Sequence, residues 1–415
     1  MKIPVDDFKI GLLTYYLKCR GLPKHKIKTK KEDFLVSEIL DDELLHSINH
    51  KYSDANDYYT LLKMPKPWGI STIDLLIKLS RRFNVKRSIM TPLGLKDSRA
   101  MGYQYILIRG KLERGKNPYI FGYISRRKVV GKPGFKNYFT VIVRYNEDTS
   151  LIDSFYNDIK NEEVIVPNFF GYQRFGEPRL INHIVGKYIV ERKFDDAVLA
   201  FLTLTSEDEK QNYTRWRKEL RDTLKFKELL KEIPRGLYYE RKVLESLVSK
   251  GDCIRALRSL PISIRKMFTM AYQSYIFNLT LSERIKLGIS VKHAIDGDYI
   301  LRRGSIEVYK GGGDRNNPLI PLIGYAYKPS KGLQGEVERK ILSELNVKPK
   351  DFYIKEMPEI SIKGGFREAV QNIHFLSIVV LKGKIEVRAI LDKGCYMTIL
   401  LREILKPQAP IKQGY

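Results

Sequence analysis

A change of period along the chain restricts its fold more than any other feature. Alternating apolar and polar residues mark both ends, and helical spacing fills the stretch from about residue 150 to 290. Near the start, Leu12, Leu13, Tyr16 and Leu17 have the spacing of a short helix within residues 1–30. Lys31–Ile39 then reads as a strand with Phe34, Val36 and Glu38 on one face, and Asp57–Lys63 as another. Ser71 predicts a helix N-cap with Asp74 three residues on, followed by the apolar stripe Leu75, Leu76, Leu79 and Phe83. Strands are expected at 103–109, 119–125 and 137–145, where Phe139, Val141 and Val143 alternate with Tyr138, Thr140 and Ile142. The middle block carries helical patterns over Arg215–Lys231, Tyr239–Leu260 and Ser263–Lys286, with Gly288 as C-cap. Residues 291–365 are rich in Gly and Pro and predict loops and short strands. Alternation returns over Phe375–Leu391 around a turn at Lys382-Gly383, and a helix starts at or soon after Gly394. Strand-rich ends around a helical block predict an α+β protein: one mixed domain built from both ends, with a second domain inserted in it. Three consecutive units are the other arrangement that this pattern allows.

The charge balance narrows the partner. Lys and Arg number 74 against 48 acidic residues, a net charge of +26. Such an excess points to a polyanion, nucleic acid first. The cations recur inside patterned segments: Lys24 to Lys31, Arg81-Arg82 with Lys86-Arg87, Arg126-Arg127-Lys128 and Arg302-Arg303. This predicts a basic surface on a folded body. The 26 tyrosines and 18 phenylalanines offer rings for stacking on unpaired bases, although most are needed for the core. No run of about 18 apolar residues exists to span a membrane, and the N-terminus lacks a signal-peptide pattern. Cys19, Cys253 and Cys395 show no metal or disulfide spacing and fit a reducing compartment, so a cytoplasmic protein is expected.

Several chemistries lack their motifs. Gly311-Gly-Gly-Asp314 is not followed by Gly-Lys-Ser/Thr, no Gly-x-Gly-x-x-Gly follows a strand, and no Gly-x-Ser-x-Gly occurs. His46 and His50 have helical spacing without the glutamate of a zinc protease, and read as surface residues. The expectation is an enzyme without metal or cofactor, working through side-chain acids and bases. Attention then falls on Thr91-Pro-Leu-Gly-Leu-Lys-Asp-Ser-Arg-Ala100, a turn between the Ser71 helix and the strand at 103–109. It presents Asp97 at a loop end, with Lys96 and Arg99 favouring the ionised carboxylate. By itself the turn also reads as a basic surface loop.

Five stretches taken together resemble the TruD family of tRNA pseudouridine synthases. Gly94-Leu-Lys-Asp-Ser-Arg-Ala100 with Gln104 looks like the family's Gly-x-Lys-Asp-x-x-Ala-x-Thr-x-Gln. Lys31-Glu-Asp-Phe-Leu-Val-Ser-Glu38 is similar to Pro-Glu-Asp-Phe-x-Val-x-Glu, with Lys28 where the family has a basic residue. Gly134-Phe-Lys-Asn-Tyr-Phe139 resembles the end of its Gly-Asn-x-Phe element, and Pro167-Asn-Phe-Phe-Gly-Tyr-Gln-Arg-Phe-Gly176 its Pro-Asn-Tyr-Phe-Gly-x-Gln-Arg-Phe-Gly. Gly394-Cys-Tyr-Met-Thr-Ile-Leu-Leu-Arg-Glu403 is similar to Gly-Ser-Tyr/Phe-Ala-Thr-x-x-x-Arg-Glu. The chain departs from the pattern at Gly102 (family Thr), Lys136 (Gly), Lys31 (Pro) and Cys395 (Ser).

The resemblance implies a mixed-sheet pseudouridine synthase domain over 1–165 plus 366–415, and an inserted, largely helical domain over 166–365. It implies isomerisation of a tRNA uridine, typically uridine 13, to pseudouridine, with tRNA as partner and no cofactor. Asp97 is then the catalytic residue, as nucleophile on the anomeric carbon or ring carbon six, or as base at the sugar. Lys28 or another nearby cation keeps it ionised, and Asn137 has donors and acceptors for the uracil edge. Phe34, Phe139 and Tyr396 hold the flipped base, as their family counterparts suggest. Lys96, Arg99, Gln173 and Arg174 are candidate RNA contacts, the Gln173-Arg174-Phe175 run serving as hinge or backbone contact. The alternative is a binding or chaperone protein of the same fold without turnover, which would have no need of Asp97. An RNA methyltransferase is disfavoured by the missing glycine loop.

Overall fold

The computed structural model describes residues 2–22, 24–49, 58–94, 96, 99–112, 118–125, 134–146, 149–161, 163–312 and 316–415. The first third of the chain supplies eight strands: β1 (His25–Lys26), β2 (Phe34–Leu40), β3 (Ile48–Asn49), β4 (Tyr58–Lys66), β5 (Met90–Pro92), β6 (Met101–Arg109), β7 (Ile120–Ser125) and β8 (Phe135–Tyr145). A separate four-stranded sheet holds β9 (Tyr299–Arg302), β10 (Ser305–Val308), β11 (Leu319–Leu322) and β12 (Gly365–Glu368). The last two strands, β13 (Ile373–Leu381) and β14 (Lys384–Asp392), return to the first group. The result is a ten-stranded sheet of order β13-β14-β8-β2-β6-β4-β7-β3, with β1 beside β8 and β5 beside β6. The protein is therefore a mixed α+β fold.

Every pairing in this sheet is antiparallel except β2 with β6. The parallel contact is tight at Gly102, where a Cβ would lie 1.7 Å from the Val36 carbonyl oxygen. Only glycine fits there. In β8 the residues Phe135, Asn137, Phe139, Val141 and Val143 point inward and their neighbours are half-buried, as the alternation requires. β14 lies on β8 with Leu391 opposite Asn137, so residues far apart in sequence share one stretch of sheet.

Among the described residues, three short helices accompany the early strands: α1 (Val5–Lys9), α2 (Asp42–His46) and α3 (Thr72–Arg82). Ser71 and Asp74 form the capping box at the start of α3, and Leu75, Leu76 and Leu79 bury against Met64, Ile106 and Ile108. The segment after α1 is not the helix that Leu12, Leu13, Tyr16 and Leu17 suggest. Its backbone donors go to distant acceptors instead: Leu13 N–H to Ser282 Oγ at 3.1 Å, and Tyr16 N–H to Glu403 Oε2 at 2.8 Å. Tertiary hydrogen bonds replace the helical ladder here.

The middle block is helical, with breaks that the periodicity does not reveal. Arg215–Lys231 divides into Gln211–Thr223 and Phe226–Glu232 at Leu224, which sits at φ 53°. Tyr239–Leu260 divides into Tyr238–Lys250 and Cys253–Arg258 at Gly251. A long helix, Ile262–Lys286, runs through the block. Another helix, Gly332–Glu344, occupies a stretch whose glycines suggested only loops and strands; Gly335 sits inside it, packed so closely on the Ser330 carbonyl that a Cβ would come within 2.3 Å.

The block enters and leaves the large sheet through a paired neck. Asn168 N–H donates to Ala369 O and Gln371 N–H to Val166 O, both at 2.8 Å, around a bridge between Pro167 and Val370. A fully buried ion cluster ties the start of the chain to the helix Met397–Leu405. There Arg402 Nε donates to Asp7 Oδ2 at 2.7 Å, Arg402 also donates to Glu403, and Glu403 accepts backbone N–H groups from Tyr16 and Leu17. The Arg402-Glu403 pair at the end of the fifth sequence stretch is thus a structural clamp. Among the described residues, no helix is long and apolar enough to cross a membrane.

Candidate active site

A cavity of about 460 Å³ opens where β2, β8 and the start of the Met397–Leu405 helix meet the turn after β5. Lys28, Phe34, Asn137, Phe139 and Tyr396 all line it, and so do Lys96, Gln173 and Arg174. Arg99 is exposed and is not among the lining residues. Asp97 lies outside the described residues; on either side of it Gly94, Lys96 and Ala100 line the cavity.

The aromatic wall comes from neighbouring strands. Phe34 and Phe139 meet edge to face, ring centres 6.0 Å apart and planes at 70°. The Lys28 ammonium sits 4.8 Å from the centre of the Phe34 ring, an electrostatically favourable position. Lys28 is buried and holds φ at 55°, a left-handed conformation that costs a residue with a Cβ about 1 kcal/mol. Tyr396 closes another side, its ring 6.3 Å from Phe170 at 66°. Gly171 permits that approach, since a Cβ there would come within 2.8 Å of Tyr396 Cδ1.

The polar floor is a connected network. Lys96 Nζ donates to Glu38 Oε1 and to Asn137 Oδ1, both at 2.8 Å, and Tyr105 N–H donates to Glu38 Oε2 at 2.6 Å. Burial pushes the Glu38 carboxyl above its ordinary pKa, while Lys96 pulls the other way and keeps the pair a coupled unit. Because Lys96 occupies the carbonyl end of Asn137, the amide NH2 is the end left to donate toward the cavity. The turn is held from below: Lys96 N–H donates to Thr72 Oγ1 at 2.8 Å, and Thr72 Oγ1 donates to Gln104 Oε1 at 3.0 Å. Thr72 is the first residue of α3, so the helix start and the turn form one piece.

Lys96, expected to meet RNA, lines the cavity with its side chain nearly buried between Glu38 and Asn137. Sequence reasoning also left out Lys393, which lines the cavity with its ammonium 4.7 Å from the Phe135 ring centre, and gave Glu38 no role beyond its strand face. Glu38 had a signal, the same-face spacing with Phe34 and Val36. Arg367 had none: its guanidinium lies 4.2 Å from the Phe170 ring centre and donates to Asn168 O and Gly394 O, joining the neck to the cavity rim. Among the described residues, no three His, Cys, Asp or Glu side chains are grouped to hold a metal ion.

The last strands of the chain return to the middle of the first ones, and the cavity opens at that junction. This is the architecture of a pseudouridine synthase. The particular family is tRNA pseudouridine synthase D (TruD), which matches residues 9–404, and the chain belongs to it. A relative from Methanopyrus kandleri, described as a probable tRNA pseudouridine synthase D, is 37% identical over 75% of this chain and 77% of its own length. One from Methanosarcina mazei with the same description is 30% identical over 98% of both chains. A crystal structure of a TruD candidate from Methanosarcina mazei superposes with a TM-score of 0.74 at 30% identity, covering 99% of this chain and 100% of the other.

Proposed function

We propose that this protein converts a uridine of tRNA, uridine 13, to pseudouridine with Asp97 as the catalytic carboxylate. The observation that carries the reading is the convergence of the family's sequence stretches on one cavity. Lys28 and Phe34, Gly94, Lys96 and Ala100, Asn137 and Phe139, Gln173 and Arg174, and residues 394–398 come from both ends and the middle of the chain, yet line the same space. Asp97 directly follows Lys96 in the chain.

The reaction breaks the C–N glycosidic bond, turns the base over and forms a C–C bond to the same sugar carbon. A nucleobase needs to be withdrawn from its stack and held while it turns. The Phe34–Phe139 wall and Tyr396 supply apolar faces for it, and the Asn137 NH2 donates to a base oxygen. Lys96 and Glu38 fix that amide in place for the base it would hold. Asp97 attacks the sugar or ring carbon six, or removes a sugar proton.

We also propose that residues 166–365 form an inserted unit on a domain built from 1–165 and 366–415. The paired neck at Pro167 and Val370 supports those edges. The decisive test of the activity is incubation of tRNA transcripts with the protein, followed by chemical mapping of pseudouridine. A new pseudouridine at position 13 is expected; modification at another site would retain the activity and discard the position, and no modification would discard both.

A further inference from the structure

The end of α3 remote from the cavity carries a group of cations that the reaction does not use. Lys78, Arg81, Arg82, Lys86 and Arg87 are all exposed, and between Asp74 and Asp97 the sequence holds no acidic residue. Among the described residues none of the five is ion-paired to a carboxylate. Buried arginines elsewhere are paired, as Arg217 is with Glu209 and Glu240, and Arg284 with Asp298. The helix dipole accounts for cations in the last turn, Arg81 and Arg82, but not for Lys86 and Arg87 beyond it. Arg82 is steadied by Tyr119 and Phe83, its guanidinium carbon 5.3 Å and 5.9 Å from their ring centres. Five unpaired positive charges on a short helix end repel one another and persist at a cost unless an anion neutralises them.

The distance to the cavity matters as much as the charge. Thr72 at the start of α3 is hydrogen-bonded to Lys96 of the cavity floor, and the helix has 11 residues. Its end therefore lies roughly 16 Å from that contact. Along an RNA duplex, whose A-form rise is shorter than that of B-DNA, this is about six base pairs.

We propose that this basic ledge binds the phosphate backbone of the substrate RNA, on a stem about six base pairs from the uridine held in the cavity. The inference rests on the proposed function for its substrate. Phosphate contacts position the RNA and do not read its sequence. The ledge thus sets where along a stem–loop the target base falls.

The test compares two variants of equal charge change. One carries Lys78→Gln, Arg81→Gln, Lys86→Gln and Arg87→Gln; the control carries Lys225→Gln, Lys227→Gln, Lys231→Gln and Lys250→Gln, also exposed lysines. Tight local contact predicts that the ledge variant binds the tRNA transcript at least tenfold more weakly, with KM raised and kcat within twofold. Its log–log salt dependence of binding should become shallower by about three. The control should bind within threefold of the unaltered protein. Equal losses in both variants would overturn the proposal, because they would reflect net charge alone. Unchanged tRNA affinity in the ledge variant would overturn it as well. If the unaltered protein made no pseudouridine while the ledge variant alone lost tRNA affinity, the catalytic reading would fall and the ledge would stand.

Discussion

Asp97→Asn separates chemistry from folding, because it keeps the side chain's size and removes its charge. An amide is a poor nucleophile and a poor base at neutral pH. The variant should fold, bind tRNA as well as before or slightly better, and make almost no pseudouridine. Turnover within about tenfold of the unaltered enzyme, a barrier change of only ~1.4 kcal/mol, would remove Asp97 from its proposed role. Glu38→Ala asks a different question. It strands the Lys96 ammonium in a nearly buried place and frees the Asn137 amide to turn over. Breaking a buried pair costs about 3–5 kcal/mol, so the urea midpoint should fall sharply. Lys96→Met combined with Glu38→Leu should regain much of that stability without regaining activity. If the double variant were as active as the unaltered enzyme, the floor would not be orienting the site.

At the scale of elements, α3 and the turn behave as one unit through Thr72. Thr72→Val keeps the shape but leaves Lys96 N–H and Gln104 without their hydroxyl partner. Unsatisfied buried groups cost about 1–3 kcal/mol each, and with the proposed catalytic role of the turn, kcat should fall more than KM rises. An unchanged kcat would show that the helix start does not position the turn. The elements also show where sequence is informative. The Ser71–Asp74 box, the alternation through β8 and the aromatic–amide spacing of Asn137 and Phe139 were legible, because capping and pleating are local. The segment at 12–17 was misread as a helix because its backbone partners, Ser282 and Glu403, lie hundreds of residues away. The partners of Lys96 were not legible for the same reason: nothing beside it in sequence announces Glu38 and Asn137 as its neighbours. The helix at 332–344 was hidden by glycines that serve close packing.

The whole molecule responds to pH through buried histidines. Burial pushes both His25 and His183 down to about 4. His25 stays neutral, donating from Nδ1 to Leu22 O and accepting at Nε2 from the Tyr415 hydroxyl at 2.7 Å. The unfolded chain binds protons near pH 6.5 that the folded protein refuses, so stability is full above that value. It is lost as pH falls through the window from about 6.5 to about 4. Each histidine contributes on the order of 3 kcal/mol to that loss. Urea midpoints measured at pH 7.5 and 5 should differ, and His25→Gln should narrow the difference; equal slopes in variant and unaltered protein would rule His25 out.

The return of β14 to β8 also governs when the enzyme comes into being. Asn137 and its partner Leu391 are roughly 250 residues apart in the chain, and contacts of that separation form late and slowly. On the ribosome, the turn with Asp97 is made early, but Tyr396 is almost the last part of the cavity to emerge. A nascent chain that has not reached β14 bears the unpaired edge of β8, rich in Val and Phe and prone to pair with a neighbouring copy. The folded middle block shortens the gap to be closed, since its two ends already lie side by side at the neck. Catalytic competence is therefore acquired in a single late step, and a ribosome stalled before residue 384 should carry a protein without pseudouridine-forming activity.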